Sequence, residues 1–241
     1  MNCIVKFFWI IYIICIWLPL GITATILCAI ITITGCLIGD DKIWGFYPGM
    51  IWSKFMCLIS CTKVTVTGKE NIRKGQSYVF CSNHTSIFDV FLIYGYIGVP
   101  FKWIMKKELE KIPFVGWACK AAGFLFIDRK KGRRAFNTLQ QAKNIFSGGV
   151  SLVIFPEGTR TRNGEIGKFK RGAFEIAREM ELPIIPMRID GGFYIMPYNR
   201  LYPYPGTLKL TILPEISSFN PVDHDDETEK IEEIRELIIN N

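Results

Sequence analysis

The pattern of hydrophobic and polar positions divides the chain into two unequal parts. Residues 7–39 contain no charged side chain, and a bilayer core of roughly 30 Å needs about 20 apolar residues in a helix. The segment is therefore long enough to span a membrane, and it is longer than the apolar region of a cleaved signal peptide, about 7–15 residues. Pro19 and Gly21 interrupt it, so we expect either one kinked helix or two shorter helices.

A second amphiphilic segment, residues 43–61, is rich in aromatic side chains and carries a single lysine, Lys54. Aromatic residues of this kind prefer the headgroup level of a bilayer, although a helix packed on a domain core has the same pattern. We therefore expect residues 1–62 to form membrane-anchoring helices and residues 63–241 to form a separate domain. Because charged residues flank the first segment on both sides, no orientation is indicated, and a spanning helix and a one-leaflet anchor both stay open.

Beyond residue 63, strand-like and helix-like patterns interleave. Short apolar or alternating runs predict strands at 64–67, 77–81, 124–127, 150–155, 184–189 and 208–213. Helical spacing predicts helices at 86–96, 133–146, 170–181 and 225–239. Thr85 or Ser86 is available as the N-cap of the first of these helices. Such interleaving is typical of an α/β domain with a mixed, largely covered sheet.

Composition and charge narrow the class of partner. Hydrophobic residues make up 49% of the 241 residues and charged residues 21%, which excludes a disordered protein. The formal net charge of +7 favours anionic partners, which include nucleic acid, anionic lipid and phosphorylated substrates. Because the chain has no recognition motif of a known nucleic-acid-binding module, we expect no nucleic-acid partner.

The eight cysteines do not have the spacing of a disulfide framework, because most of them fall in apolar stretches. The chain has no C-x-x-C pair, and its only two histidines are His84 and His224. We therefore expect no metal site. Reduced cysteines also predict a compartment that faces the cytosol.

The first candidate for chemistry is a histidine and an aspartate five residues apart. His84 follows a predicted buried strand and Asp89 lies one turn into a predicted helix, a junction where open α/β sheets usually bind ligands. The carboxylate can accept a hydrogen bond from one ring nitrogen and leave the other nitrogen basic, which suits the activation of a hydroxyl. A structural histidine that caps the helix explains the pair equally well. Ser86 lies between them, but no nucleophile elbow surrounds it.

A second block, residues 155–160 (F-P-E-G-T-R), follows another predicted buried strand. Gly158 lets the backbone approach a ligand closely, and the planar guanidinium of Arg160 suits a phosphate group. A solvated surface loop would explain the charges but not the Phe-Pro-Glu-Gly residues that begin the block directly after a buried strand. We therefore interpret the loop as a phosphate-binding site. Lysines at residues 102–107 and the strand-end pair Asp128 and Arg129 add further charge. Lysines on a helix face are usually only solvated, so these two groups carry no prediction alone.

Together these segments resemble the glycerolipid acyltransferase family, and specifically the 1-acyl-sn-glycerol-3-phosphate acyltransferases. Four blocks match in order: N-H-x-x-x-x-D at 83–89, K-x-E-L through F-I-D-R at 106–129, F-P-E-G-T-R at 155–160, and P-I-I-P at 183–186. The resemblance covers roughly residues 63–213. The apolar N-terminal region is also similar to the membrane-anchoring helices of that family.

The resemblance implies a role for each matching residue. His84 would take the proton from an acceptor hydroxyl and Asp89 would orient it, so that the oxygen attacks an acyl thioester without an acyl-enzyme. The residues implied in acceptor binding are Glu157, Gly158, Thr159 and Arg160. Among these, Arg160 would hold the acceptor phosphate. Lys106 and Arg129 are further candidates for contact with that phosphate.

The resemblance also implies a reaction and a location. The acceptor would be lysophosphatidic acid in a membrane, and the product phosphatidic acid; acyl-CoA or acyl-carrier protein would be the co-substrate, with no cofactor. The expected location is a cytosol-facing membrane surface, the inner membrane in a bacterium. Glycerol-3-phosphate, another lysophospholipid or a lyso-aminolipid fits the same motifs. A catalytically silent, membrane-tethered lipid-binding protein is the rival outside enzymes, and the intact His84 and Asp89 argue against it.

Overall fold

The computed structural model describes residues 2–127, 149–217, 219 and 221–241. We number its strands and helices in chain order. The strands are β1 (Thr62–Thr67), β2 (Val79–Ser82), β3 (Phe101–Lys106), β4 (Leu125–Ile127), β5 (Ser151–Ile154), β6 (Ile184–Asp190) and β7 (Gly206–Ile212). The helices are α1 (Cys3–Ile38), α2 (Asp41–Trp44), α3 (Tyr47–Ile59), α4 (Phe88–Tyr96), α5 (Val115–Ala121), α6 (Gly172–Glu179), α7 (Gly192–Ile195) and α8 (His224–Ile239).

The seven strands form one sheet in the order β1-β7-β6-β2-β5-β3-β4. Every neighbouring pair is parallel except β6 and β7, which are antiparallel. The predicted α/β fold with a mixed sheet and interleaved helices is therefore confirmed. Since β6, β2, β5, β3 and β4 run in the same direction, the loops that follow them all leave from one edge of the sheet.

Both faces of the sheet are covered, as the continuous apolar runs predict. Successive side chains of a strand point to opposite faces, and in β2 both sets are buried. Phe80 belongs to a core cluster formed with α3 and α4, while Val79 and Cys81 belong to a second cluster formed with α6 and α8. The site therefore rests on a sheet that is packed from both sides.

The N-terminal segment is one continuous helix, α1, rather than two. A wider π-helical turn, Ile13–Trp17, precedes Pro19, and at its end the N–H of Leu18 donates to the carbonyl oxygen of Ile13. Proline has no N–H and its ring crowds the carbonyl four residues earlier, so a local change of pitch lets the helix continue. By length and composition α1 could cross a membrane.

One side of α1 packs on the rest of the molecule. The hydroxyl of Tyr12 donates to the carbonyl oxygen of Ile59 (2.8 Å), and the indole N–H of Trp17 donates to the hydroxyl of Ser60 (2.8 Å). In the 43–61 segment, Phe46 and Met56 lie in the same core cluster as Phe80 and Leu92 of the sheet and α4. Side chains from both sides of residue 62 thus share one core, and the division into two domains there stays a prediction.

Two details differ from the sequence predictions. The lysine-rich stretch that begins at residue 102 forms the end of strand β3 and not a solvated helix face. Phe101 and Trp103 are buried, and Lys102 is only 4% exposed. The ammonium of Lys102 donates to the carbonyl oxygen of Ala122 (2.6 Å). Helix α4 begins at Phe88, and its N-cap position is Ile87 with no side-chain cap. The carboxylate of Asp89 accepts the N–H groups of Thr85 and Ser86. Neither predicted residue is at the N-cap position, but the hydroxyl of Ser86 accepts the N–H of Phe88 (3.2 Å) and so caps the first turn from one residue earlier.

The predicted helix at 133–146 and the phosphate candidate Arg129 lie outside the described residues. The C-terminal helix agrees with its prediction: α8 covers the sheet with three isoleucines, Ile231, Ile234 and Ile238.

Candidate active site

The residues singled out from the sequence follow the carboxyl ends of neighbouring parallel strands. His84 lies two residues after β2, and the block at 155–160 directly follows β5. Lys106 is the last residue of β3, and Gly192, which the sequence analysis did not single out, lies two residues after β6. Because these four strands are adjacent in the sheet, their loops line one edge, which is the usual ligand-binding edge of such a sheet.

His84 and Asp89 are in direct contact. Nδ1 of His84 lies 3.0 Å from Oδ2 of Asp89. The His84 side chain is 15% exposed, whereas the Asp89 side chain is fully buried. Only the ring can therefore meet a substrate, and the carboxylate is placed to hold the ring in one orientation and one tautomer. The predicted contact between the two side chains is present, and their roles as base and orienter stay predictions.

The carboxylate of Asp89 is fixed by the loop that carries His84. Its Oδ2 accepts from the backbone N–H groups of Thr85 (2.6 Å) and Ser86 (2.8 Å). Its Oδ1 is buried and has no hydrogen-bond partner among the described residues. Gly192 lies against this oxygen so closely that a Cβ there would clash with Oδ1 and meet the hydroxyl of Thr85 at 2.9 Å.

The imidazole of His84 is part of a stack of aromatic rings. Its ring stacks on Phe155, with centroids 3.9 Å apart and planes 10° apart. Phe155 stacks in turn on Trp103, at 5.5 Å and 23°. The stack fixes the plane of the imidazole and makes one of its faces apolar.

Glu157 fixes the backbone on both sides of the site. Its Oε1 accepts from the backbone N–H of His84 (2.7 Å), and its Oε2 accepts from the backbone N–H of Gly167 (2.9 Å). Burial raises the pKa of this carboxyl, while the two backbone hydrogen bonds lower it. Because each oxygen already has a backbone donor, we assign Glu157 a positioning role; contact with the acceptor stays a prediction.

Arg160 is half-buried and lies against the ring of Tyr198. Its guanidinium carbon is 5.1 Å from the ring centroid of Tyr198, and the guanidinium carbon of Arg162 is 5.6 Å from the same centroid. Neither arginine forms an ion pair with another described residue. Gly158 has a φ of 77°, a left-handed conformation that favours glycine, and Thr159 is exposed.

Lys106 lies at the same edge of the sheet as His84 and Arg160 but does not contact them. Its side chain is exposed, and its Nζ lies 3.4 Å from a carboxylate oxygen of Glu108. No hydrogen bond or ion pair in the described part joins it to His84 or Arg160. Contact between Lys106 and a phosphate stays a prediction.

Ser86 is occupied elsewhere. Its hydroxyl donates to the carbonyl oxygen of Met196 (2.7 Å) and accepts from the backbone N–H of Phe88 (3.2 Å). The side chain is fully buried. These contacts hold it away from the role of nucleophile and connect the loop of His84 to the loop after β6.

The sequence analysis missed the residues that the loop after β6 contributes. Tyr198 and Gly192 belong to this loop, and Met196 contacts the loop of His84. The consecutive glycines at 191 and 192, directly after a predicted strand, were an available signal for close backbone approach.

Within the described residues, no cluster of three or more histidine, cysteine, aspartate or glutamate side chains could hold a metal ion.

The chain matches known proteins along most of its length. A family model described as Acyltransferase matches residues 63–190. The chain is 30% identical over 190 residues to a chloroplastic 1-acyl-sn-glycerol-3-phosphate acyltransferase of Brassica napus, which covers 76% of the chain and 54% of the relative. It is 33% identical over 168 residues to a 1-acyl-sn-glycerol-3-phosphate acyltransferase of Pseudomonas aeruginosa, covering 68% of the chain and 64% of the relative. The chain spans about half the length or less of several curated relatives, from 38% to 54%.

The fold also matches a solved structure. The crystal structure of the 1-acyl-sn-glycerophosphate (LPA) acyltransferase PlsC from Thermotoga maritima superposes with a TM-score of 0.69 at 25% identity, over 92% of this chain and 98% of the other. The matched family region contains His84, Asp89 and the block at 155–160. This chain therefore belongs to the acyltransferase family.

Proposed function

We propose that this protein transfers a fatty acyl group from an acyl thioester to the sn-2 hydroxyl of 1-acyl-sn-glycerol-3-phosphate, giving phosphatidic acid. The observation that carries the proposal is the 3.0 Å contact between Nδ1 of His84 and Oδ2 of the buried Asp89. The names of the similar proteins supply the acceptor, since several of them are 1-acyl-sn-glycerol-3-phosphate acyltransferases.

In this mechanism His84 is the general base. Asp89 accepts from the Nδ1–H, so Nε2 is free to take the proton from the acceptor hydroxyl. The hydroxyl oxygen forms an ester bond with the thioester carbonyl carbon, the carbon–sulfur bond breaks, and the proton on Nε2 passes to the departing thiolate. No acyl-enzyme is needed, which agrees with a Ser86 hydroxyl that donates to the carbonyl oxygen of Met196.

The acceptor phosphate is proposed to bind at Arg160. A guanidinium without an acidic partner in the described part can offer two parallel N–H groups to a phosphate. Stacking on Tyr198 limits the rotamers of Arg160 and so lowers the entropic cost of ordering it on binding. Gly158 and Thr159 lie between this arginine and Glu157, and we propose that their backbone lines the same site.

The protein is proposed to work at a membrane surface that faces the cytosol, where acyl-CoA or acyl-carrier protein is available. Helix α1 exposes many large apolar side chains on its outer side, including Phe7, Phe8 and Ile14. Contacts join the domain to α1 near both of its ends: the indole of Trp9 donates to the carbonyl oxygen of Pro203, and the C-terminal half of α1 packs on α5. These contacts favour a helix that lies in one leaflet, with the domain alongside it, over a helix that crosses the bilayer.

The experiment that tests the reaction is an acceptor and donor profile. Purified protein in detergent receives labelled acyl-CoA or acyl-acyl-carrier protein, together with lysophosphatidic acid, glycerol-3-phosphate or lysophosphatidylcholine. Phosphatidic acid from lysophosphatidic acid, and little product from the other acceptors, is the expected result. Preferred product from glycerol-3-phosphate or lysophosphatidylcholine would contradict the proposed acceptor, and absence of product with every pair would contradict the reaction.

A further inference from the structure

A second apolar surface, separate from α1, lies beside the candidate active site. The segment that connects β6 to β7, residues 191–205, is called the β6–β7 loop here. Two of its large apolar side chains point outward: Tyr194 is 82% exposed and Leu201 is 87% exposed. Side chains of this size and exposure in one loop are typical of a surface that meets a partner or a membrane.

The β6–β7 loop is continuous with the apolar side of α1. The indole N–H of Trp9 donates to the carbonyl oxygen of Pro203 at 2.8 Å. Next to Trp9 on the helix, Phe7 and Phe8 are both exposed. The loop and the start of α1 therefore form one apolar surface, and a bilayer that receives α1 along its outer side also reaches the loop.

The charge of this region favours an anionic bilayer. Arg160 and Arg162 flank the ring of Tyr198, and the guanidinium carbon of Arg200 lies 4.3 Å from the ring centroid of Tyr204. None of the three arginines has an ion pair with a described carboxylate. Basic side chains near a bilayer bind its anionic headgroups, and tyrosines prefer the headgroup level.

We propose that the β6–β7 loop is a second membrane-contact element, which inserts Leu201 and Tyr194 into the headgroup region of an anionic bilayer. The loop also touches the catalytic loop, since the carbonyl oxygen of Met196 accepts from the hydroxyl of Ser86 (2.7 Å). Membrane contact at this loop would hold His84 and Arg160 at the lipid–water interface. A lipid acceptor could then present its headgroup to the site while its acyl chain stays in the bilayer.

The inference rests on the proposed membrane location but not on the proposed reaction, so its first test does not use activity. A photo-crosslinking amino acid replaces Leu201 in one full-length variant and Val222 in a second. Val222 is the matched control because it is also highly exposed (91%). It precedes α8, which packs on the face of the sheet opposite to the one that Ile195 of the β6–β7 loop packs on. Both variants are incorporated into vesicles of phosphatidylethanolamine and phosphatidylglycerol, irradiated, and analysed by mass spectrometry.

The expected result is lipid adducts at position 201 and at least about tenfold fewer at position 222. A leucine side chain that leaves water favours an apolar environment by roughly tenfold or more. The adducts at position 201 should become fewer in vesicles of phosphatidylcholine alone. Equal yields at the two positions, or no lipid adduct at position 201, would overturn the proposal.

A second variant separates a membrane surface from a docking site for a soluble partner. Leu201→Asp should lower turnover of vesicle-embedded lysophosphatidic acid by roughly tenfold and leave turnover of a short-chain, monodisperse acceptor unchanged. Val222→Asp is the matched control and should change neither. An equal loss on both acceptors for Leu201→Asp would point to docking of the acyl-carrier protein or to damage at the site, and it would overturn the membrane role of the loop.

Discussion

Oε1 of Glu157 lies 2.7 Å from the backbone nitrogen of His84 and accepts its N–H. Glu157 lies in the loop after β5, and its carboxylate thus holds the backbone of His84, which follows the neighbouring strand β2. Its second oxygen accepts the N–H of Gly167, so one buried side chain joins the loop of His84 to the end of the 155–167 loop. These two contacts give the acidic residue of the F-P-E-G-T-R block a positioning role, and its contact with the acceptor stays a prediction.

Replacement of Glu157 by glutamine tests that arrangement. The amide offers one acceptor and one donor to two backbone N–H groups, so Glu157→Gln leaves one buried donor unsatisfied, at a cost of about 1–3 kcal/mol. We expect a lower free energy of unfolding and a fall in kcat of about tenfold or more. Glu165→Gln, in the exposed part of the same loop, is the control for denaturant unfolding and turnover. Wild-type values for Glu157→Gln in both measurements would contradict the positioning role.

The C-terminal helix supports the same loop through Arg235. Its Nε donates to the carbonyl oxygen of Gly167 (2.9 Å) and its Nη2 to that of Ile166 (3.0 Å). Arg235→Met removes both hydrogen bonds, each about 0.5–1.5 kcal/mol, and should lower kcat beyond the loss of folded protein. Arg235→Lys should restore part of kcat, because its ammonium can reach a carbonyl.

Glu232→Gln is the control for that series, since it removes an ion pair of Arg235 (2.5 Å) without removing its carbonyl contacts. The comparison needs kcat, KM for the acceptor and the folded fraction of each variant. If kcat per folded molecule is unchanged in Arg235→Met, the contacts of Arg235 with the 155–167 loop have no influence on the site.

Gly192 tests the placement of Asp89. A methyl group there would clash with Oδ1 of Asp89, so Gly192→Ala should displace the carboxylate from Nδ1 of His84. A misplacement of this kind can reduce the rate by about 100-fold. Gly172→Ala is the control, because no atom lies within 4 Å of the position of its added Cβ. Steady-state kinetics that do not differ between the two variants would show that the contact at Gly192 has no catalytic consequence.

Arg160 tests acceptor binding. Loss of hydrogen bonds to a charged group, about 1.5–3 kcal/mol, should raise KM for the acceptor by about 10–100-fold in Arg160→Ala, with a smaller change in kcat. Arg162→Ala, which removes the other arginine on the Tyr198 ring, should have the smaller effect. Acceptor saturation curves provide the measurement, and an unchanged KM in Arg160→Ala would remove this residue from the phosphate site.

The contact between His84 and Asp89 could be predicted from the sequence because it is local. The two residues are five apart at a strand-to-helix junction, and the buried strand before them has a clear apolar pattern. The parallel order of the strands follows from the interleaving of helices. The amphipathic helix α8 was predictable for the same reason, since its isoleucines recur at helical spacing.

Contacts between distant residues could not be predicted in this way. The amide of Asn83 exchanges two hydrogen bonds with the backbone of Ile189 (2.9 and 2.8 Å), 106 residues further along. Strand β3 was missed because Lys102 is an exposed type of residue that is buried here, with its ammonium on the carbonyl oxygen of Ala122. No local pattern indicates that Tyr198 lies against Arg160, because their approach depends on the order of the strands.

The most direct test of the central claim is the turnover of His84→Ala beside the wild-type protein, in detergent with labelled acyl-CoA or acyl-acyl-carrier protein and lysophosphatidic acid. Circular dichroism and the melting temperature of both proteins establish that the variant is folded. Because general-base catalysis contributes about 10²–10⁴-fold, we predict that the wild type forms phosphatidic acid and that the folded variant loses at least this factor. Near wild-type formation of phosphatidic acid by His84→Ala would contradict the assignment of His84 as the base.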